Sequence, residues 1–147
     1  MPTRPDIIRI ARTWKGTPYH HQASTKGIGT DCLGLILGVW TELYGTPPER
    51  PPPYSPDWAE ASGRETLLDA ARRHLLPVAY EDLAPGDVLI FRYRVNNPAK
   101  HVAILSAHNR MIHAIEGMPV SEHAYTRWWS RRLVAAFAFP DVEAEAR

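Results

Sequence analysis

The hydrophobic pattern of the chain changes its period near the dipeptide Pro85-Gly86. Before that point, apolar residues recur three or four positions apart, which is the spacing of one face of an α-helix. After it, apolar and polar residues alternate, as they do on a strand whose side chains point to opposite faces. A helical first half followed by strands with short connections predicts an α+β fold with helices packed on an antiparallel sheet.

Three helices are predicted in the first half. Thr3 can cap the first helix, which would end near Gly16, and Asp31 can cap the second, which would end at Gly45. Ser62 with Glu65 resembles a capping box for a third helix. The buried faces of the three would be Ile7, Ile8, Ala11 and Trp14; Leu35, Ile36, Val39, Trp40 and Leu43; and Leu67, Leu68, Ala71 and Leu75.

Four strands are predicted in the second half, at 87–95, 101–107, 110–116 and 132–139. The connections "HNR" and "EGMP" are short enough for hairpins. A chain of 147 residues is the size of one domain that buries roughly 70% of its unfolded surface, so we expect a single domain over 1–147. The proline-rich stretch 46–56 is predicted to be a stiff surface connection, and 140–147 a frayed tail.

Charge and cysteine content exclude several classes of function. Seventeen basic and sixteen acidic residues give a net charge of +1, which argues against nucleic acid as the main partner. The single cysteine can form neither an internal disulfide nor a cysteine-pair zinc site. No apolar run is long enough for membrane insertion, and the start "MPTRPDIIRIARTWKG" has no signal-peptide pattern. We therefore expect synthesis in the cytoplasm and export, if any, by another route.

That cysteine, Cys32, stands where a glycine-rich loop passes into the second predicted helix. Most lone cysteines are small buried hydrophobes, which is one possible role. The other is chemical, because free N–H groups in the first turn of a helix favour a thiolate and can also bind a tetrahedral oxyanion. A cysteine nucleophile additionally needs a base, and the base needs a group that orients it.

Two of the seven histidines suit those roles. His101 begins a predicted strand, and His113 lies within the apolar run "MIHAI", where an unpartnered imidazole is costly. A hairpin around "AHNR" would bring the two rings together on one face. Taken singly, His113 could be a hydrogen-bonded core residue and His101 a surface residue at a strand end. His20 and His21 are predicted to lie in a loop, and solvated positions are predicted for His74, His108 and His123. The side chains predicted to pack against the sheet are Trp128 and Trp129.

Five segments in order carry a family resemblance: "WKGTPY", "DCLGLI", "PGDVLIF", "HVAIL" and "IHA". They resemble the signatures of NlpC-type cysteine peptidases, papain-like enzymes that cut the peptide stems of bacterial cell walls. The resemblance runs from about Trp14 to Phe139. The segment "GVWTELYG" and the prolines after it are similar to the branch found in tailed phages and gene transfer agents.

The resemblance implies roles for individual residues. Cys32 would be the nucleophile, His101 the base and His113 the polar third member. Tyr19 would shape the oxyanion or substrate site, and Asp31 would hold the helix end or a substrate amine. No metal or organic cofactor is implied. Leu33 departs from the family, because many relatives have a serine after the cysteine.

The function implied is a peptidoglycan endopeptidase whose partners are stem peptides and the hub or baseplate proteins of a phage-like tail. The protein would then be assembled into a virion-like particle and act in the periplasm or cell wall of a target cell. Two alternatives remain open at this stage. One is a thiol amidase or acyltransferase on another substrate, and the other is a structural tail-tip component with little or no activity.

Overall fold

The structure is a computed structural model that describes residues 1–51 and 63–143. Its helices are α1 (Arg4–Thr13), α2 (Cys32–Tyr44), α3 (Thr66–His74) and the short α4 (Arg127–Ser130). A two-stranded ribbon precedes α2 and consists of β1 (Ser24–Thr25) and β2 (Gly29–Thr30). The main sheet contains β3 (Leu76–Val78), β4 (Val88–Phe91), β5 (His101–Ala107), β6 (Arg110–Ile115), β7 (Met118–Ala124) and β8 (Leu133–Ala138).

Two of the three predicted helix caps are confirmed. Thr3 and Asp6 exchange side-chain and backbone hydrogen bonds at the start of α1, and Asp31 caps α2. The predicted capping box of the third helix is wrong. It required Glu65 to be the third residue of the helix, but α3 begins at Thr66, so Glu65 is the N-cap residue. Its partner in that prediction, Ser62, lies outside the described residues. The Glu65 carboxylate instead accepts hydrogen bonds from the Arg92 guanidinium and the Ala99 N–H.

The main sheet is antiparallel, in the order β3-β8-β4-β5-β6-β7, and confirms the predicted α+β class. β5 spans the predicted residues. β6 ends one residue earlier than predicted, and β8 is one residue shorter than predicted at each end. β4 is shorter than the predicted 87–95, because its ladder with β5 ends at Phe91 paired with His101. The prediction missed β3 and β7. Both are edge strands, and β7 ("MPVSEHA") buries only Val120 fully, so its sequence has little apolar alternation.

The sheet separates two apolar clusters. Helices α1, α2 and α3 cover one face, where Leu35 and Val39 of α2 join Ile90, Val102 and Ile104 of the sheet. The other face holds a smaller cluster covered by α4, consisting of Leu89, Phe91, Ala103, Leu105, Met111, Trp129 and Ala136. The predicted packing of Trp129 against the sheet is thus confirmed, whereas Trp128 is 49% exposed. Two predicted segments lie partly outside the described residues. These parts are 52–56 of the proline-rich connection and 144–147 of the C-terminal tail.

Candidate active site

Cys32 is the first residue of α2, and Asp31 holds that helix end in place. The Asp31 carboxylate is buried and accepts hydrogen bonds from the N–H of Gly34 at 2.7 Å and of Gln22 at 2.8 Å. It thereby ties the loop before the helix to the first turn. These contacts fit the first of the two roles expected for Asp31, which is to hold the end of the helix.

The loop 19–30 lies directly against the first turn of α2. A Cβ at Gly34 would lie 1.9 Å from the carbonyl oxygen of Ala23, so only glycine allows this approach. The Ser24 hydroxyl also donates to the Gly34 carbonyl at 2.6 Å. Tyr19 forms a β-bridge with Thr30, which places its half-buried side chain beside Cys32 in one pocket.

The rings of His101 and His113 are in contact across the β5–β6 hairpin. The register that pairs Ile104 with Ile112 makes the two histidines diagonal neighbours on one face of the sheet. Nε2 of His101 lies 2.7 Å from Nδ1 of His113, and both residues are buried. This bond leaves Nδ1 of His101 as the nitrogen that His113 does not use.

A third histidine extends this contact. His123, predicted to be solvated, instead lies half-buried on β7, and its Nε2 is 2.6 Å from Nε2 of His113. The β6–β7 register pairs Met111 with His123 and His113 with Ser121, so His113 and His123 are again diagonal neighbours. The prediction failed because it contained no strand at 118–124, and without that strand His123 has no reason to face His113.

Cys32 and His101 line the same pocket, which has a volume of about 240 Å³. The Cys32 Sγ atom lies 3.7 Å from the carbonyl oxygen of Lys100, the residue before His101. Tyr93 also lines the pocket, with its ring centroid 5.6 Å from that of His101. Sequence reasoning missed Tyr93, which follows β4 by two residues and carries no motif. The remaining lining residues are Tyr19, His21, Asp31, Leu33, Leu67, Lys100, Ala114, Ile115 and Glu116.

Burial dominates the electrostatics of Cys32. It raises the pKa of the thiol to about 12, with a further contribution from the Asp31 carboxylate. A hydrogen bond from the backbone N–H of Val102 on β5 lowers the pKa, and so do those from Leu33 and Cys32 itself, as expected at a helix N-terminus. These bonds favour the thiolate as expected, but they do not outweigh burial in the unliganded protein.

The pKa values of the neighbouring groups also favour neutral forms. Burial lowers the pKa of His101 well below its usual value, and the charges of His113, His123 and Lys100 lower it further. Burial, with a smaller effect of His123, lowers the pKa of His113 to about 4. Burial raises the pKa of Tyr19 to about 12, with the charges of Cys32, Asp31 and Glu116 adding to it. The unliganded pocket therefore holds a neutral thiol, the neutral imidazole of His101 and a phenol able to donate a hydrogen bond.

Two further observations concern metal binding and membrane-spanning helices in the described chain. Within 1–51 and 63–143, no group of three or more His, Cys, Asp or Glu side chains is arranged to hold a metal ion. The three histidines contact one another in series instead. Over the same residues, no helix is both long and apolar enough to cross a membrane.

A family model, NlpC/P60, matches residues 16–138. Among curated proteins, the chain is 32% identical over 119 residues to "Probable endopeptidase Cgl2188" of Corynebacterium glutamicum. The matched region covers 80% of this chain and 46% of that protein. The chain thus spans about half the length of this relative, and a second strain of the same species has an equally similar protein.

Solved structures share the fold. An NlpC/P60 family protein from Bacillus cereus superposes with a TM-score of 0.69 at 21% identity, covering 94% of this chain and 40% of that one. The NlpC/p60 domain of the peptidoglycan hydrolase SagA superposes with a TM-score of 0.67 at 20% identity, covering 93% and 99%. The peptidoglycan hydrolase RipB of Mycobacterium tuberculosis superposes with a TM-score of 0.63 at 17% identity, covering 96% of this chain and 65% of that one. These similarities confirm the expected papain-like fold.

Proposed function

Because the chain belongs to the NlpC/P60 family, we propose that it is a cysteine endopeptidase that cleaves peptide stems of peptidoglycan. One observation carries the proposal: Cys32 at the start of α2 shares a pocket with His101, and the ring of His101 is hydrogen-bonded to His113. A nucleophile, a base and a group that orients the base are thus available in series. The relatives named as endopeptidase and peptidoglycan hydrolases support the choice of reaction and substrate.

The proposed reaction begins from neutral groups. His101 takes the thiol proton through Nδ1 as the Cys32 sulfur attacks the amide carbon, and the proton then passes to the leaving amine. Backbone N–H groups at the start of α2, and the hydroxyl of Tyr19, which lines the same pocket as Cys32, would donate to the oxyanion. Water then attacks the thioester, with His101 as base, and releases the carboxylate product.

An open, positively charged groove next to the pocket supports an acidic substrate. Tyr93 lines both the pocket and this groove, which has a volume of about 710 Å³. No acidic residue is among the described side chains that line it. Peptidoglycan stems carry several free carboxylates, which such a groove attracts. The arginines of the groove are Arg92, Arg94, Arg127, Arg131 and Arg132.

The assembly context we propose is the tail tip of a phage-like or gene transfer agent particle. The hub or baseplate proteins would be the partners, and the enzyme would act in the periplasm or cell wall of the target cell. Its support is the resemblance of "GVWTELYG" and the following proline-rich segment to that branch. The proposal can be tested by probing purified particles with an antibody against this chain. We expect the antibody to label one end of the tail. Unlabelled tails, with the chain found elsewhere, would overturn the proposal.

Digestion of purified wall fragments tests the activity itself. We expect new free amines and carboxylates within the stem peptides, identified by mass spectrometry, and no products from Cys32→Ala. Cys32 is partly buried and its side chain is small, so removing the thiol should change the free energy of unfolding by about 1 kcal/mol or less, and the variant is a folded control. Intact fragments with both proteins would favour a structural tail-tip component, and acyl transfer to an added amine would favour the amidase or acyltransferase alternative.

A further inference from the structure

The histidine on β7 has no role in the function proposed above, yet it ends a continuous chain of hydrogen bonds. Nδ1 of His123 lies 2.9 Å from the carbonyl oxygen of Ala124, and Nε2 of His123 contacts His113. His113 in turn contacts His101. Only one end of this chain reaches the candidate active site, and the other ends at a backbone carbonyl.

We propose that His123 is a positioning residue that sets the tautomers of His113 and His101 and so leaves Nδ1 of His101 free to accept the thiol proton. The inference rests on the proposed function for its catalytic meaning. Its structural content, the proton position on each ring, stands independently of any reaction.

The tautomers follow from one fixed acceptor. A carbonyl oxygen can only accept, so Nδ1 of His123 carries a proton, and in the singly protonated ring Nε2 can only accept. His113 must then donate from Nε2, which leaves its Nδ1 as an acceptor. His101 must therefore donate from Nε2, and its Nδ1 has no proton.

Without His123, His113 would not impose this order. His113 could place its proton on Nδ1 and donate to Nε2 of His101, and His101 would then hold its proton on Nδ1. In that arrangement the base presents an N–H to Cys32 and cannot accept the thiol proton. If the proton stayed on Nε2 of His113 instead, this buried donor would have no partner, which disfavours that tautomer.

Packing supports a well-oriented chain of histidines. The Trp129 ring centroid lies 5.3 Å from that of His101, 5.2 Å from that of His113 and 6.4 Å from that of His123. One side chain thus covers all three rings and restricts their rotation. When His101 gains a proton during the reaction, its Nε2–H still donates to His113, now as a charge-assisted hydrogen bond. The same tautomers therefore serve both protonation states of the base.

The test combines tautomer measurement with turnover. In protein labelled with ¹⁵N-histidine, nuclear magnetic resonance should show His101 and His113 protonated on Nε2 and His123 on Nδ1. His123→Leu removes the acceptor and should produce a mixture of tautomers on His113 and His101, with kcat lowered about fivefold and KM changed less. His123→Gln can accept through its side-chain oxygen and should restore most of both signals. His108→Leu, an exposed histidine in the β5–β6 turn, is the matched control and should change neither.

Two results would overturn the proposal: a proton on Nδ1 of His101 in the unaltered protein, or unchanged tautomers in His123→Leu. A merely structural His123 predicts lower thermal stability in both position-123 variants, with unchanged tautomers and unchanged kcat per folded molecule. Because the resonance measurement needs no substrate, it stands even if the protein fails to cut peptidoglycan. Absent cleavage with the expected tautomers would count against the proposed function alone.

Discussion

The indole ring of Trp14 occupies the space that a side chain at position 38 would need. A Cβ built on Gly38 would lie 2.1 Å from a ring carbon of Trp14, and the indole Nε1 donates to the Glu42 carboxylate at 2.8 Å. These contacts hold α1 against α2, the helix that begins with Cys32. The orientation of the candidate nucleophile therefore depends on a glycine two turns away.

Gly38→Ala should destabilise the protein by about 1–3 kcal/mol, because the added methyl group forces Trp14 from a well-packed position. Thermal or urea unfolding measures the change. The double variant Gly38→Ala with Trp14→Phe is the matched test, because the smaller ring relieves the overlap. Its loss of free energy of unfolding should be smaller than the sum of the losses of the two single variants. Full additivity would mean that the two residues do not compete for space.

The His101–His113 contact predicts an order of activities among three variants. His113→Gln and His113→Asn keep a side-chain oxygen that can accept from His101, whereas His113→Ala does not. We expect Ala to cost at least about ten times more activity than Gln, or about 1.4 kcal/mol of transition-state stabilisation. Turnover and thermal unfolding on the same variants check this. Equal activity per folded molecule would assign His113 to the core alone.

The raised pKa of Cys32 predicts slow alkylation in the folded state. With a pKa of about 12 the thiol is neutral at pH 8, so iodoacetamide should react at least about tenfold more slowly than with the urea-unfolded chain, whose thiol titrates near 8.5. The folded rate should continue to rise beyond pH 10. As the chain has one cysteine, mass spectrometry reports this site alone. A plateau near pH 7 would indicate a standing thiolate instead.

Glu122 predicts a loss of stability in acid. Its side chain is 5% exposed; burial alone would raise its pKa, but hydrogen bonds from Arg12 and Lys15 are among the interactions that outweigh burial and lower the pKa to about 2. A lowered carboxyl pKa stabilises the fold above the unfolded value of about 4.3, and this stabilisation is lost as pH falls through about 2. We expect about 2 kcal/mol over that window, less than the full shift implies because Arg12 is half-exposed.

Unfolding of Glu122→Gln over the same pH range is the control for this prediction. The variant should be less stable than the unaltered protein at pH 7 and should converge with it as the pH falls to about 2 and below, because protonation then removes the charge of Glu122. A constant difference between the two curves would contradict the assignment.

The arginine groove predicts a substrate effect that depends on salt. Arg127→Gln with Arg131→Gln should raise KM for wall fragments about fivefold, and the difference should shrink as ionic strength rises. Arg72→Gln, on the exposed surface of α3 and paired with Asp69, is the control and should leave KM unchanged. Equal KM values at low salt would remove the groove from the substrate path.

The sequence was sufficient for features that depend on neighbouring residues. The caps at Thr3 and Asp31, the position of Cys32 at a helix start and the strand from His101 to Ala107 follow from local hydrogen bonding and hydrophobic period. The two-residue turn at 108–109 makes the β5–β6 hairpin predictable, but a register shift between Leu105 and Ala107 changes which residues face each other beyond the turn. Without that shift His101 and His113 would lie on opposite faces of the sheet. The hairpin could therefore be predicted from the sequence, whereas the contact of the two rings depends on the shift.

Features that depend on distant parts of the chain were decided only by the tertiary structure. β7 forms because β6 offers an unpaired edge, and its own side chains carry little of the alternation that marks a strand. The contact of His123 with His113 depends on that pairing. Likewise, the helix start favours a thiolate locally, but burial in the folded pocket reverses the balance at Cys32. Local sequence determines which groups a helix end or strand presents, whereas the solvent exposure and partners of those groups arise from the packing of the whole chain.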